Sequence, residues 1–311
     1  MKICFIGNCG HAKKAYAVLA GRRDTELCGF APGSSYEAAD KAPDSAIPHY
    51  GNYLEMLDTL KPDLAVVSPV FGKTGEVILE CAKRGIDVFS EKPVASSLEE
   101  LEHVESAVKA SGIRFCAMHY LRYTPAFFHA AQLVREGAIG ELCLLNAQKS
   151  YKFGTRPDWY RDRTLYGGTI PWVGIHAIDW IYHFSGKRFL LVTAQSLGNP
   201  EMTALCQFEM EGGVMAAVNI DYYRPATAPT HDDDRIRCVG TKGVLEVRNK
   251  RIYLINENGE RVITPTEAPE LFTEFLEGGV PISPEEIVYL TRAALTAREA
   301  ADRKTTLQIK E

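Results

Sequence analysis

The sequence predicts an α/β protein of two domains: a doubly wound parallel sheet over residues 1–120, then an α+β domain with a large, mostly antiparallel open sheet over residues 121–311. Three observations predict it. Up to about His119, short apolar runs alternate with stretches of helical periodicity. A glycine-bearing turn, Gly7-Asn8-Cys9-Gly10, follows the first of those runs. Beyond Pro125, strands follow one another with few helices between them.

In the first domain the apolar runs Lys2 to Gly7, Glu26 to Ala31, Asp63 to Ser68, Asp87 to Ser90 and Arg114 to Met118 read as strands. The segments Ala12 to Arg22, Tyr53 to Leu60, Gly75 to Arg84 and Leu98 to Ser111 read as the helices between them, the β-α-β rhythm of a parallel sheet covered on both faces. Turn chemistry sets the boundaries. Lys61-Pro62-Asp63, Arg84-Gly85 and Ser111-Gly112 stop helices where the next run begins, and Ser96 or Ser97 ahead of Glu99 and Glu100 starts one.

In the second domain a helix from Ala126 to about Glu136 ends at Gly137. The strands Leu142 to Tyr151, Leu190 to Leu197, Ala204 to Met210, Val214 to Asp221, Ile236 to Val239, Leu245 to Val247 and Ile252 to Ile255 then read as an antiparallel meander. Its hairpins turn at Glu211-Gly212-Gly213, Thr241-Lys242-Gly243 and Asn256-Glu257-Asn258-Gly259. One helix from Pro171 to about Ser185 interrupts it. A helix from Pro284 to about Arg303 and a short strand at Thr306 to Ile309 close the chain.

Composition excludes several classes. At 311 residues with 46% hydrophobic and 24% charged residues, the chain suffices for two cores and has no segment poor enough in apolar residues to read as disordered. The net charge is −5 and the lysines and arginines are scattered, so no basic stripe exists to hold nucleic acid. No apolar run is long enough to span a bilayer, and the first strand is too short for a signal peptide, which gives a cytoplasmic expectation with no membrane partner. Of eight cysteines, Cys4, Cys28, Cys81, Cys116, Cys143, Cys206 and Cys238 sit inside apolar runs, with no C-x-x-C pair and no metal-ligand spacing.

The segment Phe5-Ile6-Gly7-Asn8-Cys9-Gly10-His11-Ala12 leaves a strand and opens a helix, the context in which backbone N–H groups and a helix N-terminus approach a pyrophosphate. This is the signature of a Rossmann dinucleotide site, with Gly7 in the tight turn and Ala12 at the helix-packing position. The middle glycine of the pattern is replaced by Cys9, whose side chain is expected to crowd the pyrophosphate, and Gly10 comes one residue late. On its own the segment also fits a strand-turn-helix that binds nothing. An acidic residue at the end of the second strand would hold the ribose of NAD; here the chain reads Ala31-Pro32-Gly33-Ser34-Ser35. That leaves no carboxylate against a 2′-phosphate and two hydroxyls to receive one, so NAD and NADP both stand as cofactors. Phe71-Gly72-Lys73-Thr74 ends like a P-loop, yet the position of its first glycine is Val67.

Glu91-Lys92-Pro93 falls at the carboxyl end of a parallel strand, where open α/β sheets bind ligands. Taken alone the tripeptide also fits a solvated turn. Ser68-Pro69, Glu91-Lys92-Pro93, His119-Tyr120-Leu121-Arg122-Tyr123, Gly137-Ala138-Ile139-Gly140-Glu141, Gly174-Ile175-His176-Ala177-Ile178-Asp179 and Val239-Gly240-Thr241-Lys242-Gly243 stand in a single co-linear order. In this the chain resembles, over nearly its whole length, the Gfo/Idh/MocA family of sugar and cyclitol oxidoreductases.

The resemblance implies a nicotinamide lying between the two domains and a sugar-like substrate in the cleft. It implies cofactor contacts from Gly7, Asn8, Cys9, Gly10, His11, Ala12, Ala31, Ser34, Ser68, Pro69, Glu91, Lys92 and His119. Lys92 would touch both nicotinamide and substrate, with its bond to Pro93 cis, and His176 would be the proton acceptor or donor, so Lys92 and His176 form the catalytic pair. Tyr120, Arg122, Trp172 and Asp179 would join them around the substrate, Asp179 orienting the imidazole.

The chain departs from the family where Trp172 replaces the common Asp four residues before the histidine, and where Val70 and Lys73 replace Asn and His. On a helix with Pro171 in its first turn, residues 172, 176 and 179 share a face, so the indole fits either a pocket wall that stacks on a sugar ring or plain core packing. The run Arg156 to Arg163 fits a pocket wall or a solvated loop. His231-Asp232-Asp233-Asp234 reads as an exposed acidic loop and not a metal site. Two other functions stay open beside the dehydrogenase: a non-catalytic nucleotide-sensing protein of the same fold, and a redox-neutral NAD-dependent lyase or hydrolase. The uncovered face of the antiparallel sheet points to a homodimer or homotetramer.

Overall fold

A computed structural model describes residues 1–37, 42 and 46–310. The first elements in chain order are β1 (Lys2–Ile6), α1 (Ala12–Leu19), β2 (Glu26–Ala31), α2 (Tyr53–Leu60), β3 (Leu64–Val67), α3 (Thr74–Lys83), β4 (Asp87–Ser90), α4 (Leu98–Ser111) and β5 (Phe115–Ala117). They are followed by α5 (Pro125–Arg135), β6 (Leu142–Tyr151), α6 (Arg163–Tyr166), α7 (Ile175–Ser185), β7 (Phe189–Leu197), β8 (Thr203–Met210), β9 (Met215–Asp221) and β10 (Asp232–Gly240). The chain ends through β11 (Gly243–Arg248), β12 (Arg251–Asn256), β13 (Gly259–Ile263), α8 (Leu271–Leu276), α9 (Pro284–Arg303) and β14 (Leu307–Gln308).

Two compact units result. The first comprises Met1–Met118, Asp162–Gly167 and Glu270–Thr291; the second comprises His119–Arg161, Gly168–Pro269 and Arg292–Glu311. The first holds a five-stranded parallel sheet in the order β2-β1-β3-β4-β5. Its strands are apolar without alternation because both faces are covered, and every residue of β3 and of Ile3–Ile6 is buried. Asn52 and Ser97 cap α2 and α4 by accepting the Leu54 and Glu100 amides, and Gly112, at φ 66°, ends α4. Phe89 of β4 is wholly buried with its ring centroid 4.3 Å from Phe272 and 5.6 Å from Phe275, both on α8. Burial of such a ring contributes about 1.5–3 kcal/mol.

The second unit holds a nine-stranded sheet in the order β13-β12-β11-β10-β6-β9-β8-β7-β14. Here the strands alternate, as in β8, whose Ala204, Cys206, Phe208 and Met210 are buried while Leu205, Gln207 and Glu209 are exposed. Helices α5 and α7 pack together through Phe127 and Trp180, whose rings lie 4.2 Å apart, and α7 packs on β6. No helix of the described residues is long and apolar enough to cross a membrane.

The single meander expected from the sequence is corrected by this order. β6 sits between β10 and β9 and runs parallel to β9, because the long helical excursion after Tyr151 lets the chain re-enter the sheet elsewhere. The expected acidic loop at His231–Asp234 is likewise corrected: Asp232, Asp233 and Asp234 are the first residues of β10, paired in register with Tyr151, Ser150 and Lys149. The fully buried Lys149 ammonium lies 2.6 and 2.5 Å from the Asp234 carboxylate oxygens and offsets part of the desolvation that raises this carboxyl. The first turn of the Pro171 helix, Ile170–Gly174, is π-helical, so the α-helical spacing assumed for Trp172 does not hold through it.

Candidate active site

In a parallel sheet of this order, neighbours on the two sides of β1 are reached by connections of opposite sense, and ligands settle at the carboxyl ends of β1 and β3. The glycine loop lies there. The Gly7 amide donates to Ala31 O at 2.8 Å, the Cys9 amide donates to Ser68 O at 2.8 Å, and the Ser68 hydroxyl donates to Cys9 O, tying the loop to the ends of β2 and β3. Gly7 has φ 75°, and a Cβ there would stand 2.4 Å from Ser68 O and 2.5 Å from the Pro69 Cα. Gly10 has φ 65°, and its Cβ would stand 2.3 Å from Glu91 Oε1. The late glycine is therefore required where it is, since Glu91 fills the space beside it.

Glu91 and Lys92 follow β4 directly, and both are buried, Lys92 to 1% exposure. Glu91 accepts the His11 amide at 2.8 Å and the Lys92 amide at 3.0 Å, and its carboxylate contacts the His11 ring. Burial pushes the His11 imidazole down, toward its neutral form. Burial alone would raise the Glu91 carboxyl, but His11 and Lys92 outweigh it and hold the group below the ordinary carboxylate range. The Lys92–Pro93 bond is cis. Ser34, Ser68 and Pro69 complete the predicted set in the first unit, on the loops after β2 and β3.

The loop after β2 supplies a group the sequence reading did not find. Glu37, six residues beyond Ala31, folds back so that its Oε1 accepts the Val70 amide at 2.9 Å and the Ser34 hydroxyl at 3.1 Å. The Gly33 and Asn8 amides also hold this carboxylate, and its Oε2 lies 2.7 Å from where a Gly7 Cβ would stand. The expected lack of a carboxylate at this end of the sheet is thus corrected. Strand-end spacing missed it because an irregular loop brings it in. Beside Gly33 and Ser34 lies a cavity of about 630 Å³, also lined by Tyr53, Gly72, Lys73 and Thr164. A glycine cradle, a carboxylate held at the switch point and an adjoining cavity fit a dinucleotide in the first unit.

In the second unit the structure brings together His119, Arg122 and Asp179, all buried. Arg122 donates to Asp179 Oδ1 through Nε at 2.9 Å and through Nη2, while Asp179 Oδ2 lies 3.5 Å from His119 Nδ1. Burial alone would raise Asp179; the Arg122 and His119 neighbours hold it far below the usual carboxylate range. His119 Nε2 has no hydrogen-bond partner among the described residues. His176, 2% exposed, lies three residues before Asp179 near the start of α7, and Trp172 is buried in the π-helical turn before it. Tyr120 is buried next to His119.

Fold and loop together define a nucleotide-binding α/β protein with a second, large-sheet unit. An oxidoreductase family model with an NAD-binding Rossmann fold matches residues 1–119, and the GFO/IDH/MocA C-terminal domain model matches residues 127–246. A solved protein from Thermotoga maritima, named for the oxidoreductase class without a substrate, is 43% identical over 99% of this chain and 100% of its own, with a TM-score of 0.95. The 2,7-anhydro-N-acetylneuraminate hydratase of Escherichia coli (strain K12) is 29% identical over 55% of this chain and 48% of its own length. The scyllo-inositol 2-dehydrogenase (NAD(+)) of Bacillus subtilis (strain 168) is 26% identical over 66% and 61%. The chain thus spans about half to three-fifths of these two curated relatives. It belongs to the GFO/IDH/MocA family, and its first domain is of the NAD-binding Rossmann type.

Proposed function

We propose that the chain is a nicotinamide-dependent oxidoreductase acting on a secondary alcohol of a sugar, cyclitol or derivative. The observation that carries this reading is the burial of Lys92 directly after β4, beside the Glu91 carboxylate that binds the glycine loop. An ammonium costs several kcal/mol to desolvate, and function is the common reason to keep one in such a place. When bound, the nicotinamide supplies the hydride acceptor or donor. Lys92 stabilises the oxyanion that develops on the substrate, and His176 takes or returns the hydroxyl proton. Trp172 offers an indole to the apolar face of a sugar ring. Arg122 and Asp179 also form a buried pair beside His119, which they serve to position.

The relative named for scyllo-inositol supports the cyclitol class. Residues 1–120 would bind the dinucleotide, and residues 121–311 would bind substrate and carry the oligomer contact. A homodimer or homotetramer is proposed through the sheet face that exposes Leu190, Leu197, Leu205 and Met215. A cytoplasmic location goes with eight free cysteines.

Kinetics of Lys92→Ala and His176→Ala test the reading. Each variant is expected to bind NADH within a few-fold of wild type and to lose about 10²–10⁴ in kcat on the substrate found. Wild-type turnover by both would remove these residues from the reaction. Product formed without net change in the dinucleotide would move the chain to the redox-neutral class that the hydratase relative represents.

A further inference from the structure

We propose that Arg156 forms a carboxylate-binding subsite, so that the substrate of this chain is a sugar or cyclitol carrying a carboxylate. The inference deepens the oxidoreductase reading above and rests on it for the ligand being the substrate. Arg156 is half-buried, and its Nε is shut from solvent with no hydrogen-bond partner among the described residues. The rings of Tyr160, Tyr222 and Phe153 surround the guanidinium, their centroids 5.4, 5.8 and 6.0 Å from its central carbon. Such rings hold the charge by their faces and leave the N–H fork in want of an acceptor. Tyr222 is buried and follows β9 two residues after Ile220, whose Cδ1 lies 2.4 Å from where a Gly174 Cβ would stand. Alternation along the strand puts both side chains on one face, and Gly174 lies midway between Trp172 and His176. The cage and the Trp172–His176 segment therefore share a face of the nine-stranded sheet, two residues apart along the line of β9.

The other cations of this region are answered. Lys149 pairs with Asp234, Arg224 and Arg235 pair with Asp233, and the Lys152 ammonium donates to the Ala226 and Ala228 carbonyls. Arg156 pairs with no carboxylate among the described residues. His231, whose ring lies 5.1 Å from Tyr151, registers the surplus: burial pushes its imidazole down, and the Arg156 charge pushes it further, outweighing Asp232. One spare guanidinium matches one carboxylate, which it meets edge-on through two parallel N–H bonds. A phosphate monoester dianion would call for a second spare cation. The rings around the guanidinium lower the local polarity, which strengthens the contact.

Wild type, Arg156→Gln and Arg156→Lys compared on D-glucose against D-glucuronate, D-galactose against D-galacturonate, and D-glucose 6-phosphate test this, by turnover with oxidised dinucleotide and by calorimetry. Wild type is expected to favour at least one uronate over its neutral partner by at least about tenfold in kcat/KM or affinity, the scale of one hydrogen bond to a charged group. Arg156→Gln should fall about 10–100-fold on that uronate and stay within about threefold of wild type on the neutral sugar, with thermal melting checking the fold. Arg156→Lys keeps the charge without the fork and should fall between them. Equal use of acid and neutral sugars by wild type, or a loss in Arg156→Gln that strikes both alike, overturns the subsite and leaves the dehydrogenase reading intact. Preference for the phosphate over both uronates overturns the carboxylate assignment. Uronate binding that depends on Arg156 without turnover keeps the subsite and removes the dehydrogenase reading, whereas no sugar bound or turned over overturns both. If Arg156→Gln does not fold, the wild-type preference and Arg156→Lys decide.

Discussion

A carboxylate withdrawn from water persists only where donors converge on it, and this chain does so at the buried Asp179 with a guanidinium and an imidazole, and at the half-buried Glu37 and Asp234 with backbone amides and an ammonium. His183 shows the converse. Its ring, in the last turn of α7 and stacked near Phe128, is pushed down to about 3, first by burial and then by the Arg122 charge. The unfolded chain binds this proton below about pH 6.5 and the folded chain does not, so stability is lost as pH falls from about 6.5 toward 3. Below the ordinary carboxylate range, about 3.9, the depressed Asp179 adds a loss of the same sign as it becomes protonated. His183→Phe is expected to flatten the slope between about pH 6 and 4 by a few kcal/mol at most, measured by urea unfolding at each pH. An unchanged slope would assign it to other groups. At this scale the sequence was partly legible. Glu91-Lys92-Pro93 and the Gly7 loop declare themselves by position, but Glu37 comes from an aperiodic loop and the partners of Asp179 are set by tertiary packing.

The elements of the first unit were legible because each strand is buried on both faces and writes itself as an unbroken apolar run between helix-stop signals. Tyr53–Leu60, Leu98–Ser111 and Asp87–Ser90 fall where turn chemistry set them. β13 escaped because all but one of its residues are exposed and no alternation marks it, and β10 was cut short because three aspartates lead it. Nor does any local signal announce the π-helical turn at Ile170–Gly174. The packing of β4 on α8 gives this scale its test. Phe89→Ala removes the ring that meets Phe272 and Phe275 and is expected to cost about 3–5 kcal/mol by denaturant unfolding. A loss under about 1 kcal/mol would mean that the site collapses to refill the space.

For the whole molecule, class and layer content follow from composition and periodicity, but the strand order of the second sheet does not, because pairing β6 with both β10 and β9 is non-local. The reaction belongs to this scale as well, since the family assignment covers both domains. The central claim is transfer of hydrogen between an alcohol carbon and the nicotinamide, and isotope transfer tests it most directly. A panel of cyclitols and sugars deuterated at each secondary alcohol carbon would be incubated with the protein and oxidised cofactor, and the recovered dinucleotide analysed by mass and by NMR. The expected result is deuterium at nicotinamide C4 from at least one substrate, with transfer slowed at least about a hundredfold in Lys92→Ala. Bound cofactor that stays unlabelled across the panel, with every substrate recovered unchanged, would contradict the account and leave a dinucleotide-binding protein without this chemistry.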